Sequence, residues 1–421
     1  MKITLTEFEN SIGEVTFPLA IATSGGADSL ALLLLAHKYA QQKGEKVVAL
    51  TVDHGLRPAS KEEALWVKQW AQKYGIDHVI LEWMGEKPTS RVQEKAREAR
   101  YELLINWCKN NNISTLLLGH HQQDQEETFW LRLSSGSGLK GLSGMRKRLT
   151  KNGIVFLRPL LDFPKERLKA TLIGEGQAWL EDPSNQSSQF FRGRWRTLLE
   201  EEGLSPSRLL KVMEKLQDDA DFIQEALQKA LKTTAQLEEG GYLIIQKKPF
   251  EDLHPALAKR LLSFLMQWYS GAPYPPRSTH VATIIEKIKL SSPFTAGGIY
   301  WIPQQRQILL LREVSAVKEP ILLTQLEQKT LWDQRFWVEP QIKKYVSRET
   351  FLAPLGTIKG LKKEIISPIP PRVWPTLPAL WVKGEVVTIP HLCYNNFGCE
   401  KDFRKFIYLK PLFHDSLRFT I

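Results

Sequence analysis

The chain contains 421 residues, of which 43% are hydrophobic and 24% are charged. This length and composition exclude an intrinsically disordered chain and predict two or three packed domains. The formal net charge of +11 favours an anionic partner such as a nucleic acid, although charge alone is a weak indication.

The first half of the chain alternates segments typical of strands with segments typical of helices. Strands are predicted at residues 17–22, 47–52, 76–83, 115–119 and 154–157. Helices are predicted at residues 30–36, 61–74, 92–110, 124–133 and from 165 onward. The alternation predicts an α/β domain over residues 1–200, with a Rossmann-like parallel sheet and helices on both faces. Each loop after a strand is a candidate site, because ligands bind at the carboxyl ends of such strands.

The second half predicts two further domains. Apolar residues at three- and four-residue spacing predict a helix over 206–233, and more helices are expected at 253–269 and 281–290. Strands are expected at 242–246 and across 298–311. We therefore expect a mostly helical domain over residues 205–312. Frequent Pro, Trp and β-branched residues predict a small β-rich domain over residues 313–421.

The segment between the first strand and the first helix reads S-G-G-A-D-S. Glycine lets backbone N–H groups approach a ligand closely, and a helix N-terminus adds unpaired N–H groups. We expect the whole segment to bind a nucleotide phosphate: Ser24, Gly25, Gly26, Ala27, Asp28 and Ser29. Asp28 also offers a carboxylate for a cation. A simple capped turn is the alternative, and the Walker A pattern G-x-x-x-x-G-K-[ST] is absent.

Two neighbouring segments offer further contacts to a nucleotide. Asp53 and His54 follow the second strand, where the rim of a ligand site is expected, although an ordinary turn is the alternative. Arg97 and Arg100 are three residues apart on a predicted helix, so they share a face and could hold a phosphate. The alternative for this pair is a solvated face of salt bridges.

The stretch H-H-Q-Q-D-Q-E-E-T begins at His120, at the end of the fourth predicted strand. Asp124 and Glu127 lie three apart at the start of a helix and share a face. Such a carboxylate pair suits Mg²⁺ at the phosphates or the capture of an ammonium group, and helix capping is the alternative. The adjacent histidines do not favour a zinc site, and H-E-x-x-H is absent.

Together these segments resemble the tRNA(Ile)-lysidine synthetases, a branch of the N-type ATP pyrophosphatases in the PP-loop superfamily. The matching segments occur in family order over about residues 17–200: SGGADS, VDHGLR, the helix at 94–101, HHQQDQEET, LSSGSGLKGLSGM, RPLL and DPSN. The resemblance implies an adenine nucleotide alpha hydrolase-like N-terminal domain. It also implies helical and β-rich C-terminal domains that assist tRNA binding.

The resemblance implies a ligase reaction with ATP as co-substrate and Mg²⁺ at its phosphates. ATP would adenylate the C2 oxygen of cytidine 34 in the CAU anticodon of tRNA(Ile). The ε-amine of free L-lysine would then displace AMP and leave lysidine. Family members often pair, so the resemblance also implies a homodimer.

The resemblance also implies roles for individual residues. The implied catalytic residues are Asp28, Arg100, Asp124 and Glu127, with Asp28 and Asp124 near Mg²⁺ and with Asp124 and Glu127 around the lysine ammonium group. The implied ATP contacts are residues 24–29 with Asp53, His54, Arg97 and His120. Contacts to tRNA or phosphate are implied for Arg192 and Arg196.

Two residues depart from the family pattern. Gln123 stands where the family has the first of two aspartates in HHxDDQ, so this position has no charge. Gly193 stands where the family has asparagine in R-N-x-[IV]-R, which weakens the assignment of Arg192 and Arg196.

Two other functions compete with the ligase. A related enzyme that thiolates tRNA cytidine would need a cysteine pair, and the three cysteines of this chain form no C-x-x-C. A non-catalytic tRNA-binding homologue is the second alternative. We expect a soluble, cytoplasmic protein with no membrane partner. The chain has few cysteines and no signal-peptide pattern, and its longest apolar run covers only residues 30–36.

Overall fold

The computed structural model describes residues 1–57, 59–85, 87–181, 205–272, 274–357, 367–395 and 402–412. The chain divides into two compact units, residues 1–220 and 221–420, and each unit is described by itself. Within the described ranges, no helix is both long enough and apolar enough to cross a membrane.

The first unit is an α/β domain. Its helices are α1 (Leu5–Ile12), α2 (Ala27–Gln42), α3 (Ala59–Lys73), α4 (Val92–Asn110), α5 (Gln122–Ser134), α6 (Leu139–Leu142) and α7 (Lys165–Ile173). Its strands are β1 (Leu19–Ala22), β2 (Val47–Asp53), β3 (Asp77–Glu82), β4 (Thr115–Leu117), β5 (Arg148–Lys151) and β6 (Ile154–Leu157). The strand order is β3-β2-β1-β4-β6-β5, and the pairs are parallel except for β5 with β6.

Helices cover both faces of this sheet, as the sequence predicts. On one face α2 packs almost all of its length into the core, because its run of leucine and alanine is apolar on every side. Each fully buried leucine there stabilises the fold by roughly 1.5–3 kcal/mol. On the other face Leu104 and Cys108 of α4 pack against Leu116 and Phe156 of the sheet. The α/β prediction is confirmed, and the antiparallel strand β5 is an addition to it.

The second unit combines helices with three antiparallel sheets. Helix α8 (Pro206–Thr234) begins in the first unit, and α9 (Lys247–Glu251), α10 (Pro255–Ser270) and α11 (Ser278–Lys289) follow. One sheet has the order β7-β8-β11-β10-β9 and consists of β7 (Ala235–Glu238), β8 (Tyr242–Gln246), β9 (Phe294–Ala296), β10 (Ile299–Pro303) and β11 (Gln307–Arg312). The prediction of a mostly helical region over 205–312 was incomplete, because it missed β7 and β9.

The remaining strands form two sheets in the segment predicted to be rich in β-structure. The larger sheet, in the order β12-β15-β16-β17-β18, consists of β12 (Ile321–Leu322), β15 (Thr350–Pro354), β16 (Pro378–Val382), β17 (Glu385–Ile389) and β18 (Tyr394–Asn395). The smaller sheet, in the order β13-β14-β19, consists of β13 (Thr330–Trp332), β14 (Phe336–Val338) and β19 (Ile407–Leu409).

Candidate active site

The strand order brings the predicted site segments to one edge of the six-stranded sheet. Strand β1 lies between β2 and β4, so the order of the strands reverses there and a crevice opens at their carboxyl ends. A Cβ atom at Gly119, just after β4, would lie 3.1 Å from the Cα atom of Ser29. The segment that starts at Gly119 therefore lies directly against the first turn of α2.

The loop after β1 is shaped to expose backbone N–H groups. Gly25 has φ +87°, which strains any residue with a side chain, and a Cβ atom there would lie 2.7 Å from Cδ1 of Leu180 and displace it. Gly26 is the N-cap of α2 and supplies no side-chain cap. The first N–H groups of α2 are thus left for a ligand, and the helix dipole favours an anionic one.

The hydroxyl of Ser29, expected to contact a phosphate, makes hydrogen bonds within the loop itself. Its hydroxyl accepts a hydrogen bond from the N–H group of Ser24 at 3.1 Å and donates one to the carbonyl oxygen of Gly26 at 3.0 Å. The hydroxyl therefore links Ser24 to Gly26 and holds the curvature of the loop. The phosphate site that the geometry supports is built from backbone N–H groups.

Asp28 lies in the first turn of α2 beside two cationic or titratable side chains. Its Oδ2 atom is 3.3 Å from Nζ of Lys165 and 3.4 Å from Nε2 of His121. Burial favours the neutral acid, but the hydrogen bond from His121 and the charges of His121 and Lys165 outweigh it and lower the pKa of Asp28. Its buried Oδ1 atom has no hydrogen-bond partner within the described part of the chain.

Asp124 lies on the far side of His121 from Asp28. Its Oδ2 atom accepts a hydrogen bond from the backbone N–H group of His121 at 2.9 Å and is 3.7 Å from Nδ1 of that imidazole. Glu127 follows one turn later on α5 and is half-buried. Among the described residues, no group of three His, Cys, Asp or Glu could hold a metal ion.

The segment after β2 forms a turn and a histidine–arginine pair. Asp53 Oδ1 accepts hydrogen bonds from the N–H group of Gly55 at 2.9 Å and from the hydroxyl of Ser60 at 2.5 Å. Arg100 donates to Nε2 of His54 from Nε at 3.2 Å and from Nη2 at 3.1 Å. Burial and the charge of Arg100 lower the pKa of His54 to about 4, so the imidazole is a neutral acceptor that orients the guanidinium group.

A second group of arginines lies around the residues that follow β4 and β6. Arg158 is 2% exposed and donates to Nδ1 of His120 at 3.3 Å and to the carbonyl oxygen of Arg146 at 2.9 Å. Burial and the charge of Arg158 lower the pKa of His120 to about 3, so this imidazole is also neutral. Arg97 repels Arg158, and burial together with this repulsion lowers the pKa of Arg158.

Four guanidinium groups make up this basic cluster: Arg97, Arg100, Arg132 and Arg158. Their hydrogen bonds within the described ranges end on a phenol, on imidazoles and on carbonyl oxygens. Concentrated positive charge of this kind is costly to bury and favours an anionic ligand. Sequence reasoning missed Arg132, Arg158 and Lys165, although Arg158 directly follows a predicted strand at 154–157 and could have been found.

The comparison with known proteins decides the family. The PP-loop domain model matches residues 2–202. The tRNA(Ile)-lysidine synthase of Wolbachia sp. subsp. Brugia malayi (strain TRS) is 33% identical over 91% of this chain and 91% of the relative. The chain belongs to the tRNA(Ile)-lysidine synthase family. The chain is also similar to the tRNA(Ile)-lysidine synthases of Wolbachia pipientis wMel (31% identical, 94% of each chain) and Ruegeria pomeroyi (35% identical, 76% of each chain).

Gln123, which departs from the pattern of the tRNA(Ile)-lysidine synthases, connects two helix starts. Its Oε1 atom accepts a hydrogen bond from the backbone N–H group of Lys165 at 2.9 Å, and its amide nitrogen donates one to the carboxylate of Glu166 at 3.2 Å. The side chain thus joins the first turn of α5 to the first turn of α7. In this member of the family the side chain at position 123 therefore has structural partners on α7.

We expect Gln123→Ala to lower the free energy of unfolding by about 1 kcal/mol, because two hydrogen bonds between α5 and α7 are lost. Urea unfolding followed by circular dichroism measures this change. Gln122→Ala, one residue earlier on the same helix, is the matched control and loses only a bond within α5 to Glu126. Equal stability of the wild type and Gln123→Ala would show that the bridge contributes nothing.

The glycine- and serine-rich segment at 134–144 is held by hydrogen bonds from neighbouring side chains. Arg132 donates to the carbonyl oxygen of Gly141 at 2.8 Å. The amide of Gln125 makes two hydrogen bonds of 2.7 Å with the backbone of Met145, and Gln217 donates to the carbonyl oxygen of Ser143 at 2.7 Å. The segment therefore holds a fixed turn around α6.

One edge of the sheet carries the loop at 24–29, which includes Asp28, together with His120, Asp124 and Glu127. The basic side chains at the same edge are Arg97 and Arg100, with His54 beside Arg100. Arg192, Arg196 and the departure at Gly193 lie outside the described residues. Their assignment to tRNA or phosphate stays a prediction.

Proposed function

We propose that this protein ligates free L-lysine to C2 of cytidine 34 in the CAU anticodon of tRNA(Ile), with ATP converted to AMP and pyrophosphate. The observation that carries the proposal is the similarity to a tRNA(Ile)-lysidine synthase over 91% of both chains. The site geometry supports it, because an uncapped helix start, a half-buried aspartate and a basic cluster lie at one edge of the sheet.

In the first step, the C2 oxygen of the cytidine attacks the α-phosphorus of ATP, and the bond to the β-phosphate breaks. The charge that develops on pyrophosphate is stabilised by the N–H groups at the start of α2, which are fixed in place before the reaction. Arg100, oriented by His54, and Arg158 supply positive charge for the other phosphate oxygens.

Mg²⁺, when bound with ATP, would neutralise phosphate charge and help pyrophosphate to leave. Asp28 is the residue that we assign to the ion, through the Oδ1 atom that has no hydrogen-bond partner within the described part of the chain. Lys165 holds the other oxygen of Asp28 at 3.3 Å and keeps the carboxylate in place. Asp124 is a less direct candidate, because His121 lies between it and Asp28.

In the second step, the ε-amine of lysine attacks C2, the C2–O bond breaks, and AMP leaves with the oxygen. The amine must lose a proton before or during this attack. Asp124 and Glu127, one turn apart on α5, are the carboxylates that we assign to the lysine ammonium group and to the proton.

The cysteine chemistry of the described residues does not favour the thiolase alternative. Cys108 is buried, and burial raises the pKa of its thiol to about 12. A thiol with such a pKa stays protonated at neutral pH and is a poor nucleophile. Cys393 is exposed and belongs to the second unit.

We further propose that residues 205–312 and 313–421 contact the tRNA, that the protein acts in the cytoplasm, and that it forms a homodimer. These proposals rest on the family and on the net charge of +11. Sedimentation of the full chain with and without tRNA measures both the oligomeric state and the complex.

The test of the function measures AMP and pyrophosphate release from ATP by the full chain, with each substrate omitted in turn. We expect sustained release only when L-lysine and CAU-anticodon tRNA are both present. Sustained turnover without lysine would contradict the lysine proposal, and dependence on a sulfur donor would favour a thiolase. Binding of tRNA without any ATP turnover would favour a non-catalytic binding protein.

We expect Arg158→Met to weaken ATP binding about 10- to 100-fold, because a charge-assisted hydrogen bond to phosphate is worth roughly 1.5–3 kcal/mol. Isothermal calorimetry of the full chain measures the change. Arg148→Met is the matched control, since Arg148 lies on the paired strand β5 and donates to the carbonyl oxygen of Glu14 at 2.6 Å. Unchanged ATP affinity in Arg158→Met would remove this residue from the phosphate site.

A further inference from the structure

The small sheet β13-β14-β19 in the second unit has two unlike faces. On one face Trp332, Phe336, Val338 and Ile407 are buried in a hydrophobic core. Side chains alternate between the two faces of a strand, so the residues between these core positions point the other way. The second face is formed by one residue from each strand.

These three residues form a row across the sheet. Leu331 of β13 pairs with Trp337 of β14, and Trp337 pairs with Tyr408 of β19. All three are half-buried, and none belongs to the described hydrophobic cores. Trp337 and Tyr408 are thus neighbours on this face of the sheet. We call Leu331, Trp337 and Tyr408 the aromatic row.

A lysine lies over both rings of the aromatic row. Nζ of Lys329 is 5.0 Å from the ring centroid of Trp337 and 4.8 Å from that of Tyr408. Lys329 also donates to the hydroxyl of Tyr408, which in turn donates to Glu339 at 2.5 Å. Nζ of Lys329 is also 3.2 Å from Oε1 of Glu339, so the lysine is ion-paired with this carboxylate. These contacts hold the tyrosine ring in one orientation and keep the lysine beside the two rings.

The net positive charge of the sequence segment that contains the aromatic row favours a polyanionic partner. Residues 329–410 contain 14 lysines and arginines but only 7 aspartates and glutamates. Aromatic rings beside cations are the usual means of holding unpaired nucleotides, because every base can stack on a ring while a phosphate meets the cation. A protein partner would be favoured by a wider apolar surface with less charge.

We propose that Trp337 and Tyr408 form a stacking platform for an unpaired nucleotide of the tRNA, with Lys329 exchanging its ion pair with Glu339 for the adjacent phosphate. The proposal rests on the proposed function for the identity of the RNA. It adds a contact that lies in the second unit and is built from two residues of the three-stranded sheet and from Lys329, which directly precedes β13. It also gives a specific role to a part of the chain that matched no motif in the sequence.

The test measures binding of fluorescently labelled CAU-anticodon tRNA to the full chain by anisotropy. We expect Trp337→Ala to weaken binding about tenfold and Trp337→Phe to restore most of it, since phenylalanine keeps a ring for stacking. Phe351→Ala is the matched control, because Phe351 is an aromatic residue on a strand of another sheet and is 42% exposed. This control should bind like the wild type.

The salt dependence separates stacking from charge. We expect Lys329→Met to reduce the slope of log Kd against log salt concentration by about 1, which corresponds to the loss of one phosphate contact. Trp337→Ala should leave this slope unchanged. Wild-type affinity in Trp337→Ala would overturn the proposal. An equal loss of tRNA affinity in Trp337→Ala, Trp337→Phe and Phe351→Ala would also overturn it if the melting temperatures fell as well. The effect of Trp337 on binding would then come from its contribution to folding.

The outcome is independent of the proposed ligase function. If the wild type forms lysidine while Trp337→Ala binds tRNA normally, only the platform is rejected. If tRNA binding depends on Trp337 but no lysidine forms, only the ligase function is rejected. If Trp337→Ala instead dissociates a dimer in light scattering and leaves tRNA affinity unchanged, the surface joins two copies of the chain and the platform is overturned.

Discussion

Asp28→Asn should lower the rate of ATP-dependent tRNA modification by about 10²- to 10³-fold, the usual loss when one preorganised electrostatic group is removed. The asparagine keeps the size of the side chain but has no charge for Mg²⁺ or for Lys165, which lies 3.3 Å from the carboxylate. The effect should appear in kcat for pyrophosphate release, because the charge on the leaving group develops in the transition state.

The control for this prediction is Asp162→Asn. Asp162 is a carboxylate in the same unit, but its side chain is 52% exposed and forms a surface ion pair with Lys147. Surface pairs of this kind contribute little, so the control should retain wild-type kinetics. A kcat for Asp28→Asn within about threefold of the control would refute the assignment of Asp28 to the phosphate and metal site, given the loss expected above.

Glu127→Gln should raise the KM for lysine about 10- to 100-fold and change the KM for ATP much less. The reason is that a buried ammonium group loses one of its two proposed carboxylate partners, which is worth roughly 1.5–3 kcal/mol for a charge-assisted hydrogen bond. Steady-state kinetics with lysine and ATP varied separately measure the two constants.

Glu126→Gln is the matched control, because Glu126 is the adjacent residue on α5 and accepts a hydrogen bond from Gln122 at 2.9 Å. Neighbouring positions on a helix point in different directions, so this change should leave the lysine KM within about twofold. Equal increases in the KM for lysine and ATP in Glu127→Gln would place Glu127 outside the lysine pocket.

The glycine-containing turn between β1 and α2 could be predicted from the sequence because its determinants are local. A strand, two glycines and a helix start follow one another within about ten residues, and the conformation of Gly25 is required by its immediate surroundings. Helix α4 was predicted with its observed bounds for the same reason, since nineteen consecutive residues favour it.

Partners that are distant in sequence could not be predicted. Arg100 and His54 are 46 residues apart, Arg158 and His120 are 38 apart, and their meeting depends on the order of the strands. Lys165 reaches Asp28 because α7 packs against α2. The sequence shows which types of residue are at the site. The fold determines which of them pair, and these pairs set the pKa values of the titratable side chains.

Short strands were the main elements that sequence reasoning missed. β5 has four residues with basic residues at both ends, and β9 has three, so neither shows an alternating pattern over a useful length. Residue type also did not reveal how Ser29 is used, since the hydroxyl could contact a ligand or the loop itself. Only the geometry of the loop distinguishes these two uses.

The most direct measurement of the central claim is mass spectrometry of CAU-anticodon tRNA after incubation with the full chain, ATP, Mg²⁺ and L-lysine. The proposed reaction predicts that cytidine 34 gains the mass of one lysine less one water, and that the gain requires ATP. An unmodified cytidine 34, or a gain that corresponds to sulfur in place of oxygen, would contradict the proposed function.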